Sequence, residues 1–253
     1  MSMTDHERYL FDLQGFLVVR DALTPDQVEE LDRAFTAKMA DGAAPDQQSR
    51  RLGATPKWGK AYRDLIDNPR ITPYLEELLG AQFRLDHDYA DLIRSGHSPI
   101  GAWLHGGGTP FDPSQFYRFA DGRPRCGLSV VAYNLHDVHP GDGGFACVPG
   151  SHKANYPLPH DWHNLDHPQP CVLAVPAPAG SAVIFTEALT HGTLPWKGRG
   201  ERHTVFFKYS PGAISWAATY YNPDDYDDLT ARQRATLESP NARYKGRPTA
   251  PKP

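Results

Sequence analysis

The sequence predicts a mainly β domain of barrel or jelly-roll type with a helical N-terminal decoration, and three observations lead there. Short apolar runs separated by Gly/Pro turns fill residues 82–210. The 253 residues include 24 prolines and 22 glycines, too many turn formers for a helical bundle. Helical periodicity is confined to the stretch before residue 81 and to a short segment near the end.

Taken in order, residues 5–13 read as a short helix, and Gly15-Phe16-Leu17-Val18-Val19-Arg20 as a compact strand. Thr24 is an N-cap with Pro25 at the first helical position, and Val28, Leu31, Ala34 and Phe35 recur at helical spacing. Residues 41–60 read as loop. Asn68-Pro69 opens another helix through Tyr74, Leu75, Leu78 and Leu79, which Gly80 ends. Strand candidates follow at 82–94, 100–105, 126–137, 144–148, 171–175, 181–186 and 202–209. The stretch 150–170 holds four prolines and four histidines and is expected to lie over a barrel mouth. Residues 229–238 suggest one more helix, and 245–253 a mobile Pro/Lys tail. The expected organisation is one domain, with a helical part at 1–81, a barrel core at 82–210 and a C-terminal helix and tail at 211–253.

Composition narrows the function. A net charge of −4 and a pI near 6.3 leave no broad electrostatic footprint for a nucleic-acid polymer, which favours small-molecule chemistry. Cys126, Cys147 and Cys171 are widely spaced and odd in number, arguing against a disulfide framework and a zinc ribbon and for a reducing compartment. The N-terminus carries no apolar leader segment and the chain no run of eighteen apolar residues, so a cytoplasmic protein without a membrane partner is expected. Composition says nothing of oligomeric state.

Twelve histidines pose the question of which a metal would use. Two have a telling context. His105 ends the apolar segment Ile100-Gly101-Ala102-Trp103-Leu104 and precedes Gly106-Gly107-Gly108, where backbone can approach closely. His191 follows the strand Ala182-Val183-Ile184-Phe185 after a short turn. Arg202 lies eleven residues beyond His191. With His191 and Arg202 on adjacent antiparallel strands, its guanidinium would reach inward and hold a carboxylate in bidentate fashion. Thr193, on the same strand face as His191, would add a hydroxyl.

These residues resemble the phytanoyl-CoA dioxygenase family from about residue 5 to residue 240. The resemblance rests on Gly15-Phe16-Leu17-Val18-Val19 before a Pro-started helix, on Pro140-Gly141-Asp142-Gly143-Gly144-Phe145 leading into Val148-Pro149-Gly150-Ser151-His152, and on the His191…Arg202 pair. It implies a double-stranded β-helix of cupin or jelly-roll type, iron(II), 2-oxoglutarate and dioxygen. It assigns His105 and His191 to the metal, and Arg202 and Thr193 to 2-oxoglutarate.

One position departs from the pattern. The carboxylate of a two-histidine, one-carboxylate site is expected two residues after the first histidine, where this chain has Gly107, and no histidine in the sequence has Asp or Glu at that offset. Three readings follow. In the leading one, Gly107 marks a halide site: chloride fills the open position, and the enzyme chlorinates an unactivated C–H bond, as in the His-x-Gly halogenases and the nucleotide chlorinases that the chain resembles. On that resemblance the substrate is a 2′-deoxyadenosine nucleotide. In the second, Asp112, Asp137 or Glu187 completes the triad and the reaction is hydroxylation. In the third, a decayed site leaves a jelly-roll binding module without turnover.

Around the expected mouth, Trp103, Phe111, Phe116, Tyr117 and Arg118 would stack and neutralise a small anionic substrate, with Arg123, Arg125 and Lys153 adding positive charge; packing of these rings within the loop is the competing reading. A rival cupin site would use His136 and His139, which flank Asp137.

Overall fold

The computed structural model describes residues 3–44, 47–96 and 98–243; the tail at 245–253 lies outside these residues. Helices form where caps satisfy their first amide groups. Thr4 and Glu7 make a reciprocal capping box that starts α1 (Asp5–Gln14), and Thr24 with Gln27 does the same for α2 (Pro25–Ala40). Gly15 closes α1 in the left-handed region at φ 85°, donating its N–H to the Phe11 carbonyl, and a Cβ there would stand 2.7 Å from His152 Nδ1. The short α3 (Lys60–Arg63) and α4 (Thr72–Leu79) follow, and α5 (Ala231–Thr236) lies near the C-terminus.

Three antiparallel sheets carry the rest. The largest has six strands in the order β1 (Phe16–Val19), β9 (Ala182–Thr186), β6 (Ser129–Asn134), β11 (Arg202–Ser210), β3 (Arg84–Ile93) and β2 (Ser49–Gly53). A second holds β10 (His191–Leu194), β7 (Gly144–Cys147) and β8 (Leu173–Ala174), and a hairpin pairs β4 (Tyr117–Ala120) with β5 (Arg123–Cys126). Strand alternation sorts the large sheet into two faces. Leu17, Ile184, Val131, Val205, Phe207 and Ala90 pack against the helices in one apolar cluster. Phe16, Val183, Phe185, Val130, Ala132 and Phe206 pack in a second cluster with Phe145 and Cys147 of the smaller sheet.

Three expectations need correction. Residues 41–60 are not all loop: β2 pairs along β3, with Arg51 opposite Asp91, because the Arg51 guanidinium reaches the Asp91 carboxylate through two hydrogen bonds of 2.7 Å. Residues 100–105 form only isolated bridges at Trp103 and His105. His191 and Arg202 are not on adjacent strands, since β10 pairs with β7 whereas β11 pairs with β3 and β6. They stand on different sheets. The free cysteines are Cys126 and Cys147, both buried with thiols pushed up to about 12, and the exposed Cys171.

His152, in the Val-Pro-Gly-Ser-His turn, ties this framework to α1: it is buried, faces the Tyr117 ring edge-on, and its Nε2 donates to the Asp12 carbonyl at 3.1 Å. Burial pushes its pKa down to about 4. Below its ordinary value of 6.5 the unfolded chain takes up a proton that the folded chain refuses, so stability falls with pH between 6.5 and about 4. The loss from this one group is about 3 kcal/mol. Urea denaturation across that window should therefore give a flatter profile for His152→Gln than for the wild type; parallel profiles would contradict the assignment.

Candidate metal centre

Backbone pairing assembles the site. His105 and His191 exchange two N–H···O bonds of 2.9 Å, bringing their rings to 4.2 Å between centroids. The contact needs Gly106, because a Cβ there would lie 2.5 Å from the Glu187 carbonyl and 2.6 Å from that of Leu189. Each imidazole is then oriented by the backbone two residues before it. His105 Nδ1 donates to the Trp103 carbonyl at 2.9 Å, and His191 Nδ1 to the Leu189 carbonyl at 2.7 Å. In both rings this leaves the Nε2 lone pair for a metal.

The third donor comes from the turn after β9. Glu187 presents a carboxylate with Oε2 3.8 Å from His191 Nε2, and single donor atoms of His105, Glu187 and His191 all lie within 4.8 Å of one another. Of the three acids that sequence offered, only this one is drawn in. Asp112 caps a turn through the Ser114 and Gln115 amides, and the exposed Asp137 accepts from the Ala179 amide. Lys208, pointing inward from β11, holds Glu187 Oε1 at 2.6 Å. Burial opposes ionisation of Glu187, but Lys208 and then His191 outweigh it and hold the carboxyl at about 2. Burial, with His105 beside it, pushes His191 down to about 3, so its imidazole is neutral and ready to ligate.

Arg202 supplies the complementary feature. It is buried, with Nε and Nη1 lacking any hydrogen-bond partner, and burial lowers it to about 10 without discharging it near neutrality. A buried guanidinium with open N–H groups is costly unless an anion joins it. Gly144 makes room, since a Cβ there would stand 3.1 Å from Arg202 Nε. Thr193 lies opposite Phe145, the next residue of β7. The inner face of the large sheet is otherwise polar at this end, with Asp91, Tyr89 and Arg51, whose guanidinium sits 3.9 Å over the Tyr89 ring. Lys208, Tyr89 and Arg51 were not singled out from sequence, although a lysine inside Val205-Phe206-Phe207-Lys208-Tyr209 is the kind of buried charge that signals a site.

The remaining candidates scatter. Trp103 is half exposed and stacks on His163 at 5.3 Å, Phe111 is exposed near Phe116, and Arg118 is exposed opposite Arg125. Tyr117 hydrogen-bonds Asp12 and packs on Phe11 and His152. His139 is exposed, and His136 joins Asp32 and His203, so the rival cupin pair does not form. Gly107 has its own backbone reason. Its φ is 106°, and a Cβ would meet Thr190 Oγ1 at 3.0 Å.

Donor atoms of two imidazoles and a carboxylate thus converge, and β11 brings a buried guanidinium with open N–H groups, a combination of residue types suited to a divalent metal and an anionic ligand. The chain belongs to the phytanoyl-CoA dioxygenase (PhyH) family, which matches residues 11–204. Among curated proteins it is similar to an ectoine dioxygenase of Nocardia farcinica, 23% identical over 215 residues, covering 72% of this chain and 70% of that one. A second ectoine dioxygenase, of Streptomyces coelicolor, is 24% identical over 152 residues, 56% of this chain; the match spans about half of that relative, 48%. Among solved structures it resembles HygX of Streptomyces hygroscopicus with nickel and 2-oxoglutarate bound, at a TM-score of 0.76 and 26% identity over 85% of this chain and 89% of that one. HygX has also been crystallised with iron, and with nickel, 2-oxoglutarate and hygromycin B together.

Glu187→Gln keeps the shape and removes the charge. It should weaken binding of Co2+ or Ni2+ by at least about tenfold in calorimetric titration. Asp112→Asn and Asp137→Asn should leave it unchanged. Equal affinity in Glu187→Gln would remove this residue from the ligand set.

Proposed function

We propose that the protein is an iron(II)- and 2-oxoglutarate-dependent oxygenase that hydroxylates an unactivated C–H bond of a small molecule. The observation that carries the reading is the convergence of His105, Glu187 and His191, a two-histidine, one-carboxylate donor set in which the acid precedes the second histidine by four residues. Family membership and the iron and 2-oxoglutarate bound by HygX support it. Two facing antiparallel sheets with the site between them suit the double-stranded β-helix that the resemblance implied.

The donor set fits the metal, and the open Nε and Nη1 of Arg202 fit an acid that chelates it. Bound iron would supply the dioxygen chemistry, in which 2-oxoglutarate, O2 and R–H become succinate, CO2 and R–OH. The chain's own residues do the rest. His105 and His191 bind through Nε2, each held by its Nδ1 hydrogen bond. Lys208 fixes the Glu187 carboxylate. Arg202, buried away from water, receives the far carboxylate of 2-oxoglutarate, and the Thr193 hydroxyl is proposed as a second donor to it. A cleft of 390 Å³, lined by Gly106 and Thr190, the chain neighbours of the two histidines, and by Gly107, Pro149, Tyr156 and Leu158, is of a size for a small substrate. Part of the 150–170 loop forms its wall, and its apolar lining makes the anionic nucleotide a poor fit.

Chlorination rested on an empty third position, and Glu187 provides a carboxylate for it. The glycine that suggested a halide is explained by its left-handed backbone. Turnover with 18O2, 2-oxoglutarate and candidate small molecules at high chloride separates the two chemistries. Hydroxylated product bearing 18O is expected; product carrying chlorine would overturn the hydroxylase reading, and no consumption of 2-oxoglutarate with any of them would favour a binding module.

Arg202→Met gives a second check. It should raise the dissociation constant for 2-oxoglutarate at least about tenfold, because a charge-assisted pair of about 1.5–3 kcal/mol is lost. The ligand-free variant should unfold no earlier than the wild type, since an unsatisfied buried cation disappears with it. Unchanged 2-oxoglutarate affinity would exclude Arg202 as the anchor.

A further inference from the structure

A second histidine cluster lies on the opposite face of β11. Strand alternation turns Arg202 to the inner face and His203 to the outer one, where α2 packs. His203 stacks between Phe35 of α2, at 4.2 Å, and His136 of the segment after β6, at 4.0 Å. Asp32 of α2 points one oxygen at both rings, Oδ1 lying 2.6 Å from His203 Nδ1 and 3.2 Å from His136 Nε2. The far nitrogens are also engaged. His203 Nε2 lies 3.1 Å from Glu201 Oε2, and His136 Nδ1 donates to the Glu201 carbonyl at 2.7 Å. Arg94 neutralises Glu201 at 2.7 Å.

Counting hydrogens exposes a deficit. Four ring nitrogens each face an oxygen, and each such contact needs a proton between its atoms or a cation that both atoms bind, whereas two neutral imidazoles carry only two N–H groups. With both protons on the Glu201 side, two lone pairs point at Asp32 Oδ1. The remaining demand is met either by two further protons, which makes face-to-face imidazolium rings, or by one cation at the Asp32 end. The second solution avoids stacking like charges. It also reproduces a recurrent arrangement of metal-bound histidine, in which the ring nitrogen away from the ion donates to a carboxylate or a backbone carbonyl.

We propose that Asp32, His136 and His203 form a second divalent-cation site, separate from the His105–Glu187–His191 centre and suited to a borderline ion such as Zn2+. The ligand atoms lie within 4.8 Å of one another, and Asp32 and His136 are about one-third exposed, which opens the site to solvent. Two nitrogens and one oxygen suit zinc, with water completing the shell. The ion fastens α2 to the large sheet next to the strand position that carries Arg202. Protons compete with the ion for the same ring nitrogens, so uptake weakens on acidification.

The test uses the full chain and Zn2+ alone, counted by equilibrium dialysis with elemental analysis. His105→Ala/His191→Ala protein should retain one equivalent, and adding Asp32→Asn/His136→Gln should abolish it. Co2+ in the first variant should give d–d absorption of a nitrogen-ligated ion, and Zn2+ should raise its melting temperature; both effects should vanish in the fourfold variant. The proposal is overturned if the His105→Ala/His191→Ala protein takes up no Zn2+, or if the fourfold variant, with its circular dichroism unchanged, takes up as much. Failure of the proposed oxygenase activity would leave these readouts untouched, because they are made with the first centre removed.

Discussion

The reciprocal pair of backbone bonds between His105 and His191 is the contact on which the proposed iron site depends. It joins a glycine-rich segment without regular strand structure to the first residue of β10, and sets the two rings 4.2 Å apart. The His105 ring would not be fixed by side-chain packing alone, since it is exposed, whereas His191 is buried against Phe185. The two carbonyls that receive the Nδ1 protons belong to residues two positions earlier, so the same local backbone course that makes the pairing also chooses the tautomer. Gly106 is the cost of this closeness. Any Cβ there would collide with two backbone carbonyls, which cannot rotate aside as a side chain would.

β11 organises the rest through its alternation. Arg202 and Lys208 occupy its inner face with Thr204 and Phe206 between them, whereas His203, Val205 and Phe207 occupy the outer face. Polar inner residues fall toward β3 and β2, and apolar ones toward β6, β9 and β1, so a single sheet carries both a charged cavity wall and part of a dry core. The charges survive burial because they are paired. Lys208 lies on Glu187, and Arg51 on Asp91; of these three cations, Arg202 is the one whose buried Nε and Nη1 have no partner. That asymmetry marks where a ligand's charge belongs.

Much of this was legible in the sequence, for reasons that differ by element. Helix α2 announces itself through its Thr24 cap and Pro25, and β9 and β11 through apolar runs long enough to be buried on both faces. His105 and His191 were legible because glycines and strand ends flag them. β2 was not, because Ser49-Arg50-Arg51-Leu52-Gly53 has little apolar content and is held by the Arg51–Asp91 pair, a contact between residues forty apart. The β4–β5 hairpin was missed for a similar reason, since its exposed Arg118 and Phe119 give no alternation to read. The Asp32–His136–His203 cluster draws on three separate elements, and no local spacing announces it.

In the proposed site, Glu187 supplies the carboxylate from outside the usual His-x-Asp/Glu spacing. A metal reads positions of donor atoms and is indifferent to the order in which the chain supplies them. With Gly107 in a left-handed backbone, a side chain at that position is strained, and Glu187 is the carboxylate that the fold brings to the two histidines. The turn after β9 is suited to provide it. Its backbone already packs against Gly106, and Lys208 stands ready to hold the acid ionised against burial. The vacancy in the His-x-Gly segment and the acid four residues before His191 are therefore two halves of one arrangement. Without Glu187 the glycine would leave Lys208 as a buried cation facing two imidazoles, an arrangement that burial penalises heavily. With it, the centre has three donors, and the lysine has its partner.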